Sequence, residues 1–452
     1  MKFDEIEEKY NDYVVKMRRY FHENPEVSGK EYNTSKVVKE ELDKLGVSWI
    51  NCGLETGILA TINGDKPGKT ILLRGDMDAL SVTEETGAEY QSKNKGVMHA
   101  CGHDCHIAMM LAAAAILNDN KAELCGNVKL AFQPAEESAD GAKSMVENGA
   151  MNGVDGCFAI HVWSDVDAGQ IACDAGPRMA AAYKFIIDVK GKGGHGAAPH
   201  QCIDAAVVTT LIVNNLQTVV SRETSPVDPA VVTVGVIDVG ERWNVVPEKG
   251  HIEGTIRCFS DHLWKEIPNM MDRIVKDTAK ALRAEAEIKF IDLVPPTNNH
   301  PEMAETAKNA AKKIFGENVA ANVPPTMGGE DFAYFMQKAP GAVALLGVKN
   351  EDCGAVWAQH SSRFCVDENM LIKGAMLYAQ VAMDFNSEKW YWYKIIYIKR
   401  GCLINEKVHS CGVYEKKSVN LIAFYGNIKL IIGGDFLWAE RKENHWIQKR
   451  KI

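Results

Sequence analysis

The sequence has no apolar run long enough to cross a bilayer, and its opening stretch MKFDEIEEKY is acidic with no apolar segment behind it. A membrane span needs roughly 20 consecutive apolar residues. A membrane-spanning or secreted protein is therefore not expected, and the chain reads as cytoplasmic. Positive charge is also in short supply: 51 Lys and Arg stand against 60 Asp and Glu, a net charge of −9, which argues against nucleic acid as the main partner. No internal repeat or low-complexity segment suggests a solenoid or a disordered chain. Cysteine, by contrast, is plentiful. Twelve of them without a secretion signal are expected to be reduced, as metal ligands or small core residues rather than disulfides. At 452 residues, with 46% apolar and 25% charged, the chain can build two or three domains around a sizeable core.

The eight residues His99 to His106, HACGHDCH, put three imidazoles and two thiols on one short stretch. Thiolate and neutral imidazole are the ligands preferred by Zn²⁺ and its late first-row neighbours. The alanine-rich run IAMMLAAAAIL follows, so a buried helix is expected, with Asp104 as its cap and Gly102 bending the turn before it. Two plainer readings stand beside this one. Cys101, His103, Cys105 and His106 could form a closed structural zinc knot, or the stretch could be ordinary core at a helix start. Closed sites usually draw on two separated ligand pairs, which this contiguous set is not.

Helices are expected over 4–23 and 33–45. Short apolar runs at Ile58–Ile62, Thr70–Leu73, Val128–Phe132 and Cys157–Ile160 read as buried strands, alternating with helices near 104–117 and 140–148. The layout is α/β and doubly wound. Asp76 and Asp78, Glu136 and Glu137, and His161 all fall at strand carboxyl ends, where open α/β sheets build their sites. Between residues 181 and 294 the order becomes βαββαβ, a ferredoxin-like unit bounded by Gly176-Pro177 and Pro295-Pro296. The expected division is 1–180 with 295–386 for the catalytic domain, 181–294 for an inserted lid, and 387–452 unassigned.

A hydrolytic two-metal centre needs about five ligands, one of them shared, and a carboxylate base. Cys101 could bridge, His103 and His161 complete one metal, and Glu137 with His360 the other. Glu136 is then left free as base. An adjacent glutamate pair taken alone is more often a solvated helix start.

The motifs RGDMDAL (74–80), MHACGHD (98–104), FQPAEE (132–137), AIHVW (159–163), GKGGHGAAPH (191–200), NVVP (244–247), GTIRCF (254–259), GGEDFAYF (328–335) and His360 resemble those of the M20 amidohydrolases. Within them the chain is similar to the branch of hippurate hydrolases, N-acetyl-diaminopimelate deacetylases and auxin-conjugate hydrolases, over about residues 5–385. The resemblance implies Cys101, His103, Glu137, His161 and His360 as ligands of two divalent ions (Zn, Mn, Co or Ni) and Glu136 as general base. It implies that the inserted domain mediates homodimerisation and that His195 reaches the scissile carbonyl, with the partner subunit as one source. Asn244 and Arg257 match positions holding the substrate carboxylate, and Asp76 and Asp78 are expected to orient His103. Arg257 as a strand-face cation and His195 as a loop residue among glycines are the plainer alternatives. Ser81 stands where proline is usual and Cys105 where glycine is usual. Cys105 is expected to oxidise easily or to compete for metal.

The function this implies is cleavage of a small-molecule N-acyl amino acid to a carboxylic acid and a free amino acid. An M20-type carboxypeptidase or dipeptidase is the alternative, and a metal-binding scaffold a third. From Glu388 onward the balance turns to +7, with 13 Lys and Arg against 6 Asp and Glu, while residues 1–387 carry 38 against 54. This tail includes WYWYKIIYIKR and LIAFYGNIKLIIGGDFLW. It could be a small β-rich addition, a membrane-touching patch or an aggregation-prone segment. The abrupt break in composition favours a fourth reading, an accident of reading frame fused to a complete enzyme.

Overall fold

Helix α1 (Phe3–Glu23) buries Val14, Met17 and Phe21, spaced three and four apart, so one stripe faces inward. Helix α2 (Tyr32–Lys44) does the same with Val38 and Leu42. Strands β1 (Ser48–Asn51), β2 (Ile58–Asn63) and β3 (Lys66–Asp76) lead to α3 (His103–Asp119). Every residue of α3 from His103 to Leu117 is buried, as expected of a helix apolar on all sides. Then come β4 (Cys125–Gln133), α4 (Gly141–Glu147), β5 (Gly156–Asp167), β6 (Ile171–Ala172) and β7 (Gly176–Met179). The computed structural model describes residues 1–386 and, beyond them, only the backbone of four strands.

The inserted part runs through β8 (Ala181–Lys190), β9 (Gly194–His195), α5 (Ala205–Thr218), β10 (Ala230–Val239), β11 (Val245–Val246), β12 (Lys249–Cys258), α6 (Asp261–Ala281) and β13 (Glu285–Val294). Asp204 caps α5 by accepting from the Ala206 and Val207 amides, and Ser260 caps α6 through Leu263. The chain returns by β14 (Thr297–Asn299), α7 (Pro301–Phe315), α8 (Ala333–Met336), β15 (Gly341–Lys349) and α9 (Asn369–Asn386).

The central sheet has the order β1-β2-β4-β3-β5-β15-β6. Its middle four strands are parallel, and the flanking pairs are antiparallel. Helices α3 and α9 pack on one face, while α4 and α8 meet Leu72, Ala131 and Ala159 on the other. This is the doubly wound layout. The inserted sheet, order β10-β12-β8-β13, is wholly antiparallel and packs α5 and α6 over Phe185, Ile187, Ile252 and Ile256. Its βαββαβ order is the ferredoxin-like one.

Two local expectations are corrected. His161 does not end its strand: β5 runs on to Asp167 because its parallel pairing with β15 continues through Leu346↔Val162 to Lys349↔Asp167. Asp104 does not cap α3. The residue before the helix is Gly102, at φ 92°, and Asp104 lies in the first turn. Its carboxylate turns sideways to Arg18 Nε (2.9 Å) and His22 Nδ1 (2.7 Å), which outcompete the helix amides.

Contacts divide the chain into units 1–387 and 388–452. In the second unit Val419–Phe424, Asn427–Ile432, Asp435–Lys442 and His445–Arg450 pair in succession as an antiparallel sheet. The WYWYKIIYIKR stretch lies outside the described residues. Among the described residues no helix is long and apolar enough to cross a membrane.

Candidate metal centre

The carboxyl ends of β3 and β4, His161 from within β5 and one returning arm meet at the N-terminus of α3. Asp76 ends β3, and Asp78 follows two residues later. Gln133 ends β4, after which Ala135 takes a positive φ of 55° and turns Glu136 and Glu137 into the site. Their amides both donate to the Asp78 carboxylate at 3.0 Å, so the two side chains leave one anchored turn in different directions. Gly102 at φ 92° lets the chain bend between Cys101 and His103; a Cβ there would stand 2.4 Å from Val162 Cγ2. His360 comes from the arm before α9, with φ 66° and its amide donating to the Ala100 carbonyl at 2.8 Å.

Among the five clusters of close donor atoms in the described residues, two share Cys101. Cys101, His103 and His161 have donor atoms within 4.8 Å of one another, and so do Cys101, Glu137 and His360. Cys101 belongs to both. Its Sγ lies 3.5 Å from His161 Nε2, and His360 Nε2 lies 3.5 Å from Glu137 Oε1. Donors bound about 2.0–2.3 Å from one tetrahedral ion lie roughly 3.5 Å apart, so these spacings fit. His103 donates from Nδ1 to the Asp78 carbonyl (2.9 Å) and His161 from Nδ1 to the Val162 carbonyl (2.6 Å). Both rings are thereby fixed with Nε2 turned inward, the tautomer a metal ligand needs. Glu136 lies within the same reach of His103 and Glu137.

The buried atoms His103 Nε2 and Glu137 Oε1 have no hydrogen bond. Each such orphan costs about 1–3 kcal/mol unless something binds there. Soft and borderline donors with inward-facing orphaned atoms match late first-row divalent ions, and the residues present fit two of them.

Electrostatics agree with that fit. Burial pushes His161 down to about 4, which favours the neutral imidazole, the form a metal ligand takes. Burial also opposes charge on His103, but Asp76 and then Cys101 raise it well above the ordinary value. Burial, reinforced by Glu330 and Asp331, lifts Glu136 well above the carboxylate range.

Asp78 does hold His103, through Nδ1, whereas Asp76 is turned mainly to other partners. Asp76 makes its short contacts to His106 Nδ1 (2.5 Å) and Arg74 Nη1 (2.7 Å), standing 3.4 Å from His103 Nε2. The Asp78 carboxylate holds the amides of residues 136 and 137 and stands 3.3 Å from His103 Nδ1, and it is the Asp78 carbonyl that takes the ring's hydrogen bond. The closed-knot alternative fails on geometry. His106 spends Nδ1 on Asp76 and accepts the Val162 amide with Nε2 (2.9 Å), and Cys105 is fully buried. The expectation of a reactive Cys105 fails with it, because burial and Asp104 hold its thiol well above the usual range. Ser81 is exposed.

Sequence reasoning gave no role to Arg74, Glu330 and Asp331. The buried Arg74 guanidinium joins Asp76, Gln133 (2.8 Å), Glu330 (2.9 Å) and Asp331 (2.9 Å), tying β3, β4 and the GGED turn together behind Glu136. Asp331 is lifted to about 7 by burial, with Arg74 opposing and Glu330 adding. The opposite charges in RGD and the adjacent acids of GGED were the available signal.

His195 and Asn244 stand at the small β9–β11 ladder, apart from Arg257 on β12 of the inserted sheet. His195 in β9 pairs with Val245 in β11, and the Gly196 amide donates to the Asn244 carbonyl at 3.0 Å. Asn244 Oδ1 is buried without a hydrogen bond. Arg257, half-buried on β12, bonds the Ile256 carbonyl (2.9 Å) and Thr255 Oγ1. Among the described residues no carboxylate pairs with Arg257, and no hydrogen bond or ion pair joins these three to the donor triads.

The family described as Peptidase family M20/M25/M40 matches residues 72–384. Thermostable carboxypeptidase 1 of Saccharolobus solfataricus is 43% identical over 381 residues, covering 83% of this chain and 96% of that protein. N-acetyl-L-cysteine deacetylase of Bacillus subtilis is 36% identical over 378 residues, covering 83% and 89%. Among solved structures, the Bacillus subtilis YXEP protein, described as a dinuclear metal binding peptidase from the M20 family, superposes with a TM-score of 0.73. It is 33% identical and covers 83% of this chain and 98% of that one.

Proposed function

The chain belongs to peptidase family M20/M25/M40 and is a hydrolase of that family, and on that premise we propose that it cleaves the amide bond of N-acyl amino acids with two divalent ions. The observation that carries this reading is the pair of donor triads sharing Cys101, with Glu136 beside them and not counted in either. Cys101, His103 and His161 would hold one ion, and Cys101, Glu137 and His360 the other. When bound, the ions supply Lewis acidity toward the amide carbonyl and toward water.

Glu136 takes the proton of the attacking water and passes it to the departing amine, so one water adds across the bond and an acid and a free amino acid leave. Burial and the neighbouring carboxylates raise its proton affinity, as this double duty requires. Arg257, a half-buried cation with no acidic partner among the described residues, suits a substrate carboxylate, and Asn244, whose buried Oδ1 is unbonded, is the second candidate to hold it. His195 donates to the oxyanion. Its exposed place on the insert supports donation across a homodimer, in which the unpaired edge of β10 and the exposed Val236, Ile237 and Trp243 form the contact. A pure metal-binding scaffold would need no uncommitted carboxylate at Glu136.

The test is a substrate panel on protein loaded with Mn²⁺, Zn²⁺, Co²⁺ or Ni²⁺: N-acetyl and N-benzoyl amino acids against dipeptides and longer peptides. Release of free amino acid from the N-acyl compounds is expected. A preference for peptides would transfer the assignment to a carboxypeptidase or dipeptidase, the reading that the 43% identical relative favours. No turnover of either would leave the scaffold.

A further inference from the structure

His360 rides on a surface arm whose two ends carry thiols, Cys353 and Cys365. Asn350 and Ala355 exchange backbone hydrogen bonds of 2.9 Å, closing a tight turn that presents Cys353 outward. The Asn350 amide group donates to Asp367 at 2.8 Å, which brings the returning strand of the arm against that turn. There Cys365 Sγ donates to the Gly354 carbonyl at 3.2 Å, one residue from Cys353. Cys353 is the only exposed cysteine among the described residues, whereas Cys365 is partly buried. Burial raises the Cys365 thiol, and the neighbouring Cys353 adds to the effect.

We propose that Cys353 and Cys365 form a reversible disulfide by exchange with a small-molecule disulfide, and that this cross-link loosens the hold of the arm on His360. The exposed Cys353 thiolate attacks the small disulfide, forming a mixed disulfide and releasing one small thiol. The Cys365 thiolate then attacks the Cys353 sulfur and releases the second. The two protein thiols lose two electrons and two protons, and the small disulfide gains them. To reach Cys353, Cys365 must leave the Gly354 carbonyl and draw its neighbour Phe364 with it. Phe364 is buried, its ring 3.4 Å from where a Cβ on Gly102 would stand, so it is the packing between the arm and the Cys101–His103 turn. Moving it disturbs His360 on one side and that turn on the other.

The second half of this inference rests on the metal reading above; the first half does not. Full-length protein loaded with Zn²⁺ is treated with oxidised glutathione, mapped by mass spectrometry of its peptides, and timed for zinc release to a chelator. The expected result is a Cys353–Cys365 linked peptide that dithiothreitol abolishes, with zinc leaving severalfold faster than from reduced protein. Cys353→Ser should keep its activity and fold, form no link, and release zinc at one rate with or without oxidant. Absence of the linked peptide, or a glutathione adduct on Cys353 that never resolves, overturns the cross-link. A link with unchanged zinc release, or fast release from oxidised Cys353→Ser, overturns the coupling to His360. Reduced protein that takes up no zinc would count against the metal centre itself, and the peptide map would still decide the thiol pair.

Discussion

Glu136 and Glu137 are neighbours in sequence with opposite assignments, and the difference lies in what each carboxylate meets. Glu137 closes a triad with Cys101 and His360, whereas Glu136 faces Glu330 and Asp331. Replacing Glu136 by Ala should leave bound metal near its normal content, measured by elemental analysis. The same variant should lower kcat by roughly 10²–10⁴-fold, the usual worth of a general base. Near-normal turnover would remove Glu136 from that role. Gly102 makes a second residue-scale test. Alanine there would meet Val162 and hold a positive φ, so a loss of about 2 kcal/mol in stability is expected by denaturant titration, together with weaker metal binding. The Cys, His and Glu donors could be picked out in the sequence because their chemistry is unusual wherever it occurs. His106 could not be assigned, since nothing in HACGHDCH says that Asp76 and the Val162 amide would take both its nitrogens.

At the scale of elements, α3 carries the candidate ligand His103 into the core, and α1 decides where its first turn stands. Arg18 and His22 of α1 both reach Asp104, and His22 Nε2 also contacts Glu84 (3.1 Å), all of them buried. Breaking a buried pair by deleting one partner costs about 3–5 kcal/mol. Asp104→Asn should therefore lower stability by a few kcal/mol at neutral pH. Burial opposes ionisation of Asp104, but Arg18 and His22 hold its carboxyl well below the ordinary value. A carboxylate depressed in the folded state stabilises above its unfolded pKa of about 4, and that contribution is lost as pH falls. The acid limb of the wild-type stability curve should thus be steeper than that of Asp104→Asn, and parallel limbs would refute the network. Helix periods and strand lengths were legible in the sequence. The choice by Asp104 of a side-chain partner over the helix amides was not, because Arg18 is 86 residues away.

For the whole molecule, the order of elements and the insertion of an antiparallel unit into a parallel sheet followed from the change in hydrophobic rhythm between residues 181 and 294. The tail followed from nothing comparable, and ending the chain after Asn386 should preserve folding and activity, since the central sheet and α9 close before it. The assembly is the last question of this scale. In one chain, His195, Asn244 and Arg257 sit on the insert with no bond to the triads among the described residues, so their proposed part in the reaction requires either closure of the insert or a second copy. The edge strand β10 leaves one side of its backbone unpaired and exposes Val231, Val236 and Ile237, with Trp243 92% exposed just beyond. An uncovered edge of this kind invites pairing with its own copy. Replacing the half-exposed Ile237 by Lys should shift sedimentation from dimer to monomer while lowering the melting temperature of the fold little. If His195 acts across the interface, kcat should fall together with the dimer fraction and recover as protein concentration rises. A monomer of full activity would place His195 in its own subunit's site and make insert closure the step that completes it.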